Sequence, residues 1–401
     1  MAFSEIEIAL ESLAFGGEAV GRGDDGRVVF VAGGAPGDRV RARIVEDKRS
    51  FRRGEVVAVL SAGERVVPPC PLADRCGGCP WMHVTIAAQA AAKQSIVARA
   101  LAKSGADVRP IAVAPATLGY RTRARMSVRV DRQNRVAVGF SARRSHDIVD
   151  VDRCIALEPT LDGAMQAARR ALGPLIGDEG ALSGLVRDGA VELAVTSGRG
   201  ARLPALATAA QALVGQASIV RVSVDDAAAP AAGFAQANDA QNERLRQLAR
   251  DAAQVAGQRV LELYAGDGNF TRDLLPDAAS GVAEEGDRHA VVRLHDLVTR
   301  SGKPWTVSRE AAAPAVDRLV RADERFDVVL LDPPRAGAAD VVDGIARLRP
   351  ARIVYVSCDP MTLARDVARL TTLGYRAQTA WPVDMMPHTW HVEVVCSLVR
   401  R

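Results

Sequence analysis

The sequence predicts an α/β chain: a doubly wound parallel sheet in its C-terminal part, preceded by a small β-barrel and a mixed α+β segment. The first observation is a set of apolar runs that end in Gly or Pro: VLELYAG at 260–266, VVLLDPP at 328–334 and IVYVSCDP at 353–360. Helical stretches at 289–299 and 361–371 alternate with them. Strand, glycine turn and helix in succession mark a doubly wound sheet, with sites at the carboxyl ends of its strands. The second observation is a row of short alternating segments before residue 62, at Ile6–Leu10, Arg27–Val31, Arg39–Val45 and Gly54–Leu60, broken by Gly16-Gly17 and Gly33-Gly34. That pattern fits a small OB-like barrel. The third is the mixed pattern between the two, with strands expected at 123–130, 135–140 and 218–223 and helices at 85–103, 161–173 and 203–213. Three domains are therefore expected, at 1–62, 63–232 and 233–401.

Composition narrows the function classes. Hydrophobic residues make up 48% of 401, enough for sizeable cores, and no apolar run reaches the ~18 residues of a membrane span. The N-terminus lacks the basic region of a secretory signal, so a cytoplasmic protein is expected. The net charge is only +4, but the cations cluster. Residues 39–53 hold six Arg and one Lys, and residues 121–144 hold eight Arg with Asp131 as the single acid. Such clusters fit a polyanionic partner such as RNA, or else a solvated basic face.

Five segments carry chemistry. LELYAGDGNF at 261–270 ends a buried strand in Gly266-x-Gly268, where a backbone turn approaches a ligand at a helix start. Glu285 follows about 20 residues later, in the position of a carboxylate that accepts ribose hydroxyls. LLDPPRAG at 330–337 puts Asp332 at a strand end before a rigid proline loop. Enzymes that methylate exocyclic amines tend to carry an aromatic after such paired prolines; Arg335 stands there instead, which argues against an amine and leaves carbon as a candidate target. VSCDPMTLARD at 356–366 places Cys358 at a strand end beside a helix N-terminus, which favours a thiolate. DMMPHTWHVEVV at 384–395 sets Glu393 in an alternating, strand-like segment. Finally, Cys70-x5-Cys76-x2-Cys79 lies in the Pro/Gly-rich loop VPPCPLADRCGGCPW at 67–81, with Cys154 far downstream. Four thiolates suit either zinc or an iron–sulfur cluster, and spacing alone does not choose.

Together with GFAQAN at 233–238 and GFSARRSHDIVDVDRC at 139–154, these segments occur in the order of the 5-methyluridine RNA methyltransferase family, and the chain resembles it over nearly its whole length. The branch it resembles is the bacterial 23S rRNA one with an N-terminal TRAM domain and a [4Fe–4S] cluster. The resemblance implies a Rossmann-like class I methyltransferase domain that uses S-adenosylmethionine to methylate C5 of an RNA uridine. It implies Cys358 as nucleophile and Glu393 as general base. Gln236, Tyr264, Gly266, Asn269, Glu285 and Asp332 match positions that hold the cofactor, and Cys70, Cys76, Cys79 and Cys154 match the cluster ligands. It further implies 23S rRNA as partner, with tRNA as the alternative substrate; an RNA-binding or assembly factor without catalysis is the reading of a different class. No membrane association and no obligate protein partner are expected, and the chain is expected to be a monomer. Two positions depart from the family: Ala265 where many relatives have Cys, and Asp359 where Asn is usual. A carboxylate at 359 is expected to raise the pKa of the neighbouring thiol.

Overall fold

The computed structural model describes residues 4–131, 133, 135–229, 231 and 235–401. Gly233 and Phe234, the start of the GFAQAN segment, lie outside the described residues. The chain forms two compact units, one of Met1–Ala92, Pro115–Asp239 and Met386–Trp390, the other of Lys93–Ala114, Ala240–Met385 and His391–Arg401. No helix among the described residues is long and apolar enough to cross a membrane.

The first unit opens with a closed barrel of β1 (Glu5–Leu13), β2 (Ala19–Arg22), β3 (Val28–Ala32), β4 (Arg39–Asp47) and β5 (Phe51–Ser61), in the order β1-β2-β3-β5-β4. Antiparallel pairing of β1 with β4, from Glu5 opposite Arg43 to Ala9 opposite Arg39, closes it. The period of two is plain in β4: Val40, Ala42 and Ile44 are buried, whereas Arg39, Arg41 and Arg43 face solvent. β2 is four residues long, too short for alternation to register in the sequence, and it is the barrel strand that the sequence does not announce. The basic run 39–53 is balanced within the barrel. Arg39 and Arg41 lie against Glu7, Arg43 against Glu55, Arg52 against Asp25 and Asp47, and Arg53 against Glu18 and Glu46. Exposed pairs of this kind contribute only ~0–1 kcal/mol each, so a phosphate can compete for the guanidinium groups.

Helix α1 (Ile86–Ala100) and the short β6 (Asp107–Val108) follow in the chain. The first unit then resumes with a six-stranded sheet of β7 (Arg123–Val130), β8 (Val136–Ser141), β9 (Ile148–Asp150), β10 (Glu179–Arg187), β11 (Ala190–Thr196) and β12 (Ile219–Val224), ordered β12-β11-β10-β7-β8-β9. Helices α2 (Pro159–Leu172) and α3 (Leu203–Leu213) bury Leu161, Met165, Leu172 and Leu206 against Met126, Val128, Val138 and Leu193 of the sheet. The hairpin β10–β11 is absent from the sequence reading. Its signal was Asp188-Gly189, whose φ values of 50° and 75° form the two-residue turn that joins antiparallel strands.

The second unit is built on an eight-stranded sheet. After α4 (Asp239–Ala253) come β13 (Arg259–Leu263), α5 (Thr271–Leu274), β14 (Ser280–Glu284), α6 (Ala290–Ser301), β15 (Trp305–Ser308), α7 (Ala312–Arg321), β16 (Val328–Leu331), α8 (Val342–Arg347), β17 (Arg352–Ser357), α9 (Pro360–Thr372), β18 (Tyr375–Val383) and β19 (Glu393–Arg400). The order is β15-β14-β13-β16-β17-β19-β18-β6. β13 to β17 are mutually parallel, and the central β16 and β17 read as near-continuous apolar runs, as expected of strands buried on both faces. β19 inserts antiparallel between β17 and β18. The chain order reverses between β13 and β16, and at such a switch point a cleft opens outside the carboxyl ends of the strands.

One acidic side chain is sealed inside this sheet. Glu262 of β13 is 0% exposed, and its Oε2 accepts the Thr271 hydroxyl at 2.7 Å. Burial pushes its carboxyl up to about 8 from an ordinary 4.5. The folded protein therefore keeps a proton that the unfolded chain releases, and the stability tied to this group falls as pH rises from about 4.5 through 8. Glu262→Gln keeps an acceptor for Thr271 and removes the titration. Thermal melting at pH 5, 7 and 8.5 should show the variant gaining on wild type as pH rises. A difference independent of pH would mean that Glu262 does not hold its proton in the fold.

Candidate active site

The turn after β13 is shaped by three residues of positive φ: Tyr264 at 60°, Gly266 at 59° and Gly268 at 90°. Left-handed backbone at a tyrosine costs of order 1 kcal/mol and is kept only where surrounding structure imposes it. The two glycines serve different ends. Gly266 turns the chain so that its N–H donates to Glu285 Oε2 at 2.7 Å. Gly268 makes room for α6: a Cβ there would lie 2.4 Å from Leu297 Cδ2 and 3.2 Å from Leu294 Cδ1. Close approach of backbone to a ligand is thus not the whole reason for the pair. The other oxygen of Glu285 accepts the Asp287 N–H at 2.6 Å, so this carboxylate ties the β13 turn to the end of β14. Asn269 exchanges two amide hydrogen bonds with Asn242 of α4, at 2.9 and 3.0 Å. Sequence reasoning missed Asn242, which stands in a polar helix with nothing to single it out. It also missed Glu262, although an acid inside an apolar strand was a visible signal. Gln236 is half-buried and belongs to the first unit, whereas Tyr264, Gly266, Asn269, Glu285 and Asp332 belong to the second.

A second cluster forms at the ends of β16 and β17 and the start of β19. Asp332 follows β16 directly, Cys358 follows β17, and Glu393 opens β19. The loop between Asp332 and α8 is pinned from α9: Asp366 accepts the Ala338 N–H at 2.8 Å and the Tyr355 hydroxyl at 2.7 Å, and Arg365 donates to the Ala336 carbonyl at 2.9 Å. The Cys358 turn is pinned as well. Asp359 caps α9, its Oδ1 accepting the N–H groups of Met361 and Thr362 at 2.8 and 3.1 Å, and Ser357 Oγ donates to the Asp359 carbonyl at 3.0 Å. A cap of this type stabilises a helix by ~1 kcal/mol.

The electrostatics of this cluster correct one expectation. A helix N-terminus was expected to favour the thiolate. Instead the half-buried Cys358 thiol is pushed up to about 12, first by burial and then by the charges of Glu393 and Asp332, with Arg335 opposing. The helix end offers little help because Asp359 already occupies its N–H groups. Burial likewise pushes Glu393 up to about 8, Asp332 adding to the shift and Arg335 opposing it, and pushes Asp332 up to about 7. The expected influence of Asp359 on the thiol is not what dominates; Glu393 and Asp332 are its principal charged neighbours. The fold therefore brings Cys358, Glu393, Asp332 and Arg335 into one electrostatic group.

In the first unit, Cys70, Cys76, Cys79 and Cys154 line one cavity with Met82, Phe140 and Arg121. All four are free thiols. Burial and the neighbouring Cys154 and Cys76 push the Cys79 thiol up to about 12, while Arg121 opposes. Among the described residues no three His, Cys, Asp or Glu side chains are arranged to hold a single metal ion. Arg121 lies 5.7 Å from the Phe140 ring. Next to it, Arg123 is held below its usual value by burial and by repulsion from Arg121 and Arg125. This run of cations on and before β7 suits a polyanion.

Known proteins are similar to this chain. The TRAM domain family matches residues 1–57, and the tRNA (Uracil-5-)-methyltransferase family matches residues 316–401. A Halomonas elongata protein named 23S rRNA (uracil(1939)-C(5))-methyltransferase RlmD is 35% identical, over 98% of this chain and 89% of its own. The protein of that name from Edwardsiella ictaluri is 33% identical, over 94% and 92%. The crystal structure of Pyrococcus abyssi tRNA (uracil-54, C5)-methyltransferase with S-adenosyl-L-homocysteine covers 98% of this chain and 100% of its own, with a TM-score of 0.69 at 23% identity, and shows that the fold is shared. Relatives this similar over nearly the full length place the chain in the S-adenosylmethionine-dependent RNA (uracil-C5) methyltransferase family.

Proposed function

We propose that this enzyme methylates a uridine of 23S rRNA, with Cys358 as nucleophile and Glu393 as the base that completes the reaction. The observation that carries this reading is the group of Cys358, Glu393 and Asp332 tuned by burial at one sheet edge. The names of the full-length relatives support the 23S rRNA substrate. A ribosomal substrate sets the reaction in the cytoplasm. The barrel over 1–62 and the cysteine-bearing segment 63–232 serve RNA binding, and 233–401 carries the chemistry.

Uracil C5 is a weak nucleophile. Addition of Cys358 Sγ to C6 turns the ring into an enolate, and C5 then takes the methyl group from the sulfonium of the co-substrate. Glu393 removes the C5 proton, the C6–S bond breaks, and Cys358 leaves as the thiolate. Two protons are released along this path, one from the thiol and one from C5. Glu393, raised to about 8, is the acceptor for the C5 proton. Tyr264, Gly266, Asn269, Glu285 and Asp332 hold the co-substrate, with Glu285 on the ribose hydroxyls; the charge of Asp332 also raises Glu393. The target uridine is flipped from its stack to reach the site.

The four cysteines fit a [4Fe–4S] cluster. The four line one cavity, and Arg121 beside them would offset the negative charge of such a group. Cys70, Cys76, Cys79 and Cys154 would hold it, and it would supply structural cross-linking, since methyl transfer needs no electron.

Mapping 5-methyluridine in total RNA of a deletion strain tests the substrate. Loss from 23S rRNA is expected, and loss from tRNA alone would overturn the assignment in favour of the tRNA activity named for the Pyrococcus abyssi protein. With 5-fluorouridine RNA, Cys358→Ala should bind but form no covalent adduct. Glu393→Gln should form the adduct and fail to resolve it on ordinary RNA, and the wild-type kcat should rise with pH through about 8 as Glu393 ionises. Anaerobically purified protein should be brown, with a broad band near ~400 nm. Cys79→Ser should lose that band and melt at a lower temperature; colourless wild-type protein with stoichiometric zinc would remove the cluster.

A further inference from the structure

Residues 334–338, between β16 and α8, are held more tightly than a strand-to-helix connection requires. The Gly337 N–H donates to the Pro334 carbonyl at 2.8 Å, which makes a β-turn with Arg335 and Ala336 at its centre. Gly337 has φ 79°, and a Cβ there would lie 2.5 Å from Arg365 Nη2 and 2.6 Å from Asp366 Oδ2, so only glycine fits. Both of these neighbours belong to α9, and both grip the turn. Asp366 is 1% exposed and takes three donors. Its Oδ2 accepts the Ala338 N–H at 2.8 Å and the Tyr355 hydroxyl at 2.7 Å, and its Oδ1 accepts Arg365 Nε at 2.8 Å. Arg365 Nη2 reaches on to the Ala336 carbonyl at 2.9 Å. A carboxylate this deep persists only where such donors replace its lost hydration.

The same helix carries the thiol. Asp359 caps α9, Cys358 immediately precedes that cap, and Asp366 lies two helical turns further on, on the same face. One rigid element therefore mounts both Cys358 and the Arg335 turn. Arg335 is exposed, and it is the cation among the charged neighbours of this thiol. Its charge opposes those of Glu393, at the start of β19, and Asp332, after β16. It opposes Asp332 at Glu393 in the same way. Asp359, the acid next to Cys358 in the chain, already accepts the Met361 and Thr362 N–H groups. The interaction of two charges falls with their separation. A turn that drifts by an ångström or two changes what the thiol experiences.

We infer that Asp366 and Arg365 are positioning residues: from the second turn of α9 they hold the 334–337 turn so that the Arg335 guanidinium stays beside Cys358 and favours its thiolate for addition to C6. The inference rests on the proposed role of Cys358. In that step the S–H proton leaves to solvent, and the sulfur electron pair forms the S–C6 bond. The C5–C6 π pair moves into the enolate, whose charge ends on the C4 oxygen. The inference carries a signature of definite sign. A clasp that only braced the loop would, when loosened, open the site and let reagents reach the half-buried thiol faster. A clasp that holds a cation in place would, when loosened, leave the thiol more fully protonated and slower to react.

The test reads the thiol directly, in the full-length enzyme without RNA. Iodoacetamide alkylates the thiolate form, and mass spectrometry of the peptide bearing Cys358 separates it from the other five cysteines. Arg365→Met and Gly337→Ala disturb the clasp from its two sides, and Arg335→Met removes the charge itself. At pH 8 the alkylation of Cys358 should slow roughly 10-fold in Arg335→Met, as loss of a nearby opposite charge does. The two clasp variants should slow it roughly 3- to 10-fold, in the same direction. With a 23S rRNA transcript and S-adenosylmethionine, kcat should fall in the same order. An unchanged rate in Arg335→Met would show that this cation does not act on the thiol. Alkylation at or above the wild-type rate in folded Arg365→Met and Gly337→Ala would overturn the positioning role, as would slowed alkylation with wild-type kcat. Loss of the cooperative melting transition in both would do so too, by making the clasp a requirement of folding alone. Failure of the nucleophile assignment is read separately, as methyl transfer by Cys358→Ala.

Discussion

Withdrawal of ionisable groups from water at the carboxyl edge of the parallel sheet governs the chemistry of this enzyme. Asp332 and Glu393 would be fully ionised in water at neutral pH. Half-buried between strand ends, they are raised to about 7 and about 8, and the Cys358 thiol beside them to about 12. Desolvation is the largest cause in each case, and repulsion from neighbouring carboxylates adds to it for Cys358 and Glu393. Glu262, one strand away and wholly buried, shows the same effect without solvent contact.

Such a site is stable only if the backbone around it is fully committed. The turns bearing its side chains are fastened by neighbouring polar groups. Asp359 takes the first amides of α9, Asp366 takes Ala338 and Tyr355, and Glu285 takes Gly266 and Asp287. Each carboxylate is placed where it satisfies N–H groups that a sharp turn leaves without partners. The same economy holds in the first unit, where Gln89 closes four polar atoms around His388, Trp81 and Val84 with a single amide.

The strand-end positions were legible in the sequence because apolar strands ending in Gly, Asp-Pro-Pro and Cys-Asp-Pro occur together and in order, although each piece alone is also compatible with an ordinary βα turn or a buried structural residue. Cys358, Asp332 and Gly266 sit where those runs placed them. The barrel was legible from its alternation, except for the four-residue β2. The hairpin β10–β11 was overlooked although Asp188-Gly189 signalled it. The basic run at 39–53 is the instructive case. In sequence it is a run of six Arg and one Lys broken only by Glu46 and Asp47; in the fold strand pairing and barrel closure bring Glu7, Glu18, Asp25 and Glu55 across to it.

The sequence by itself determined that a thiol and carboxyl groups stand at the ends of apolar strands, because residue types and the lengths of apolar runs are written in the chain. Tertiary structure alone decided how those groups ionise and who holds them in place. Glu393 and Cys358 are 35 residues apart in sequence, and Gln89 and His388 are 299 apart. The pKa of a buried group and the partner of a buried amide are set by what other segments bring within a few ångströms. No local pattern records that distance.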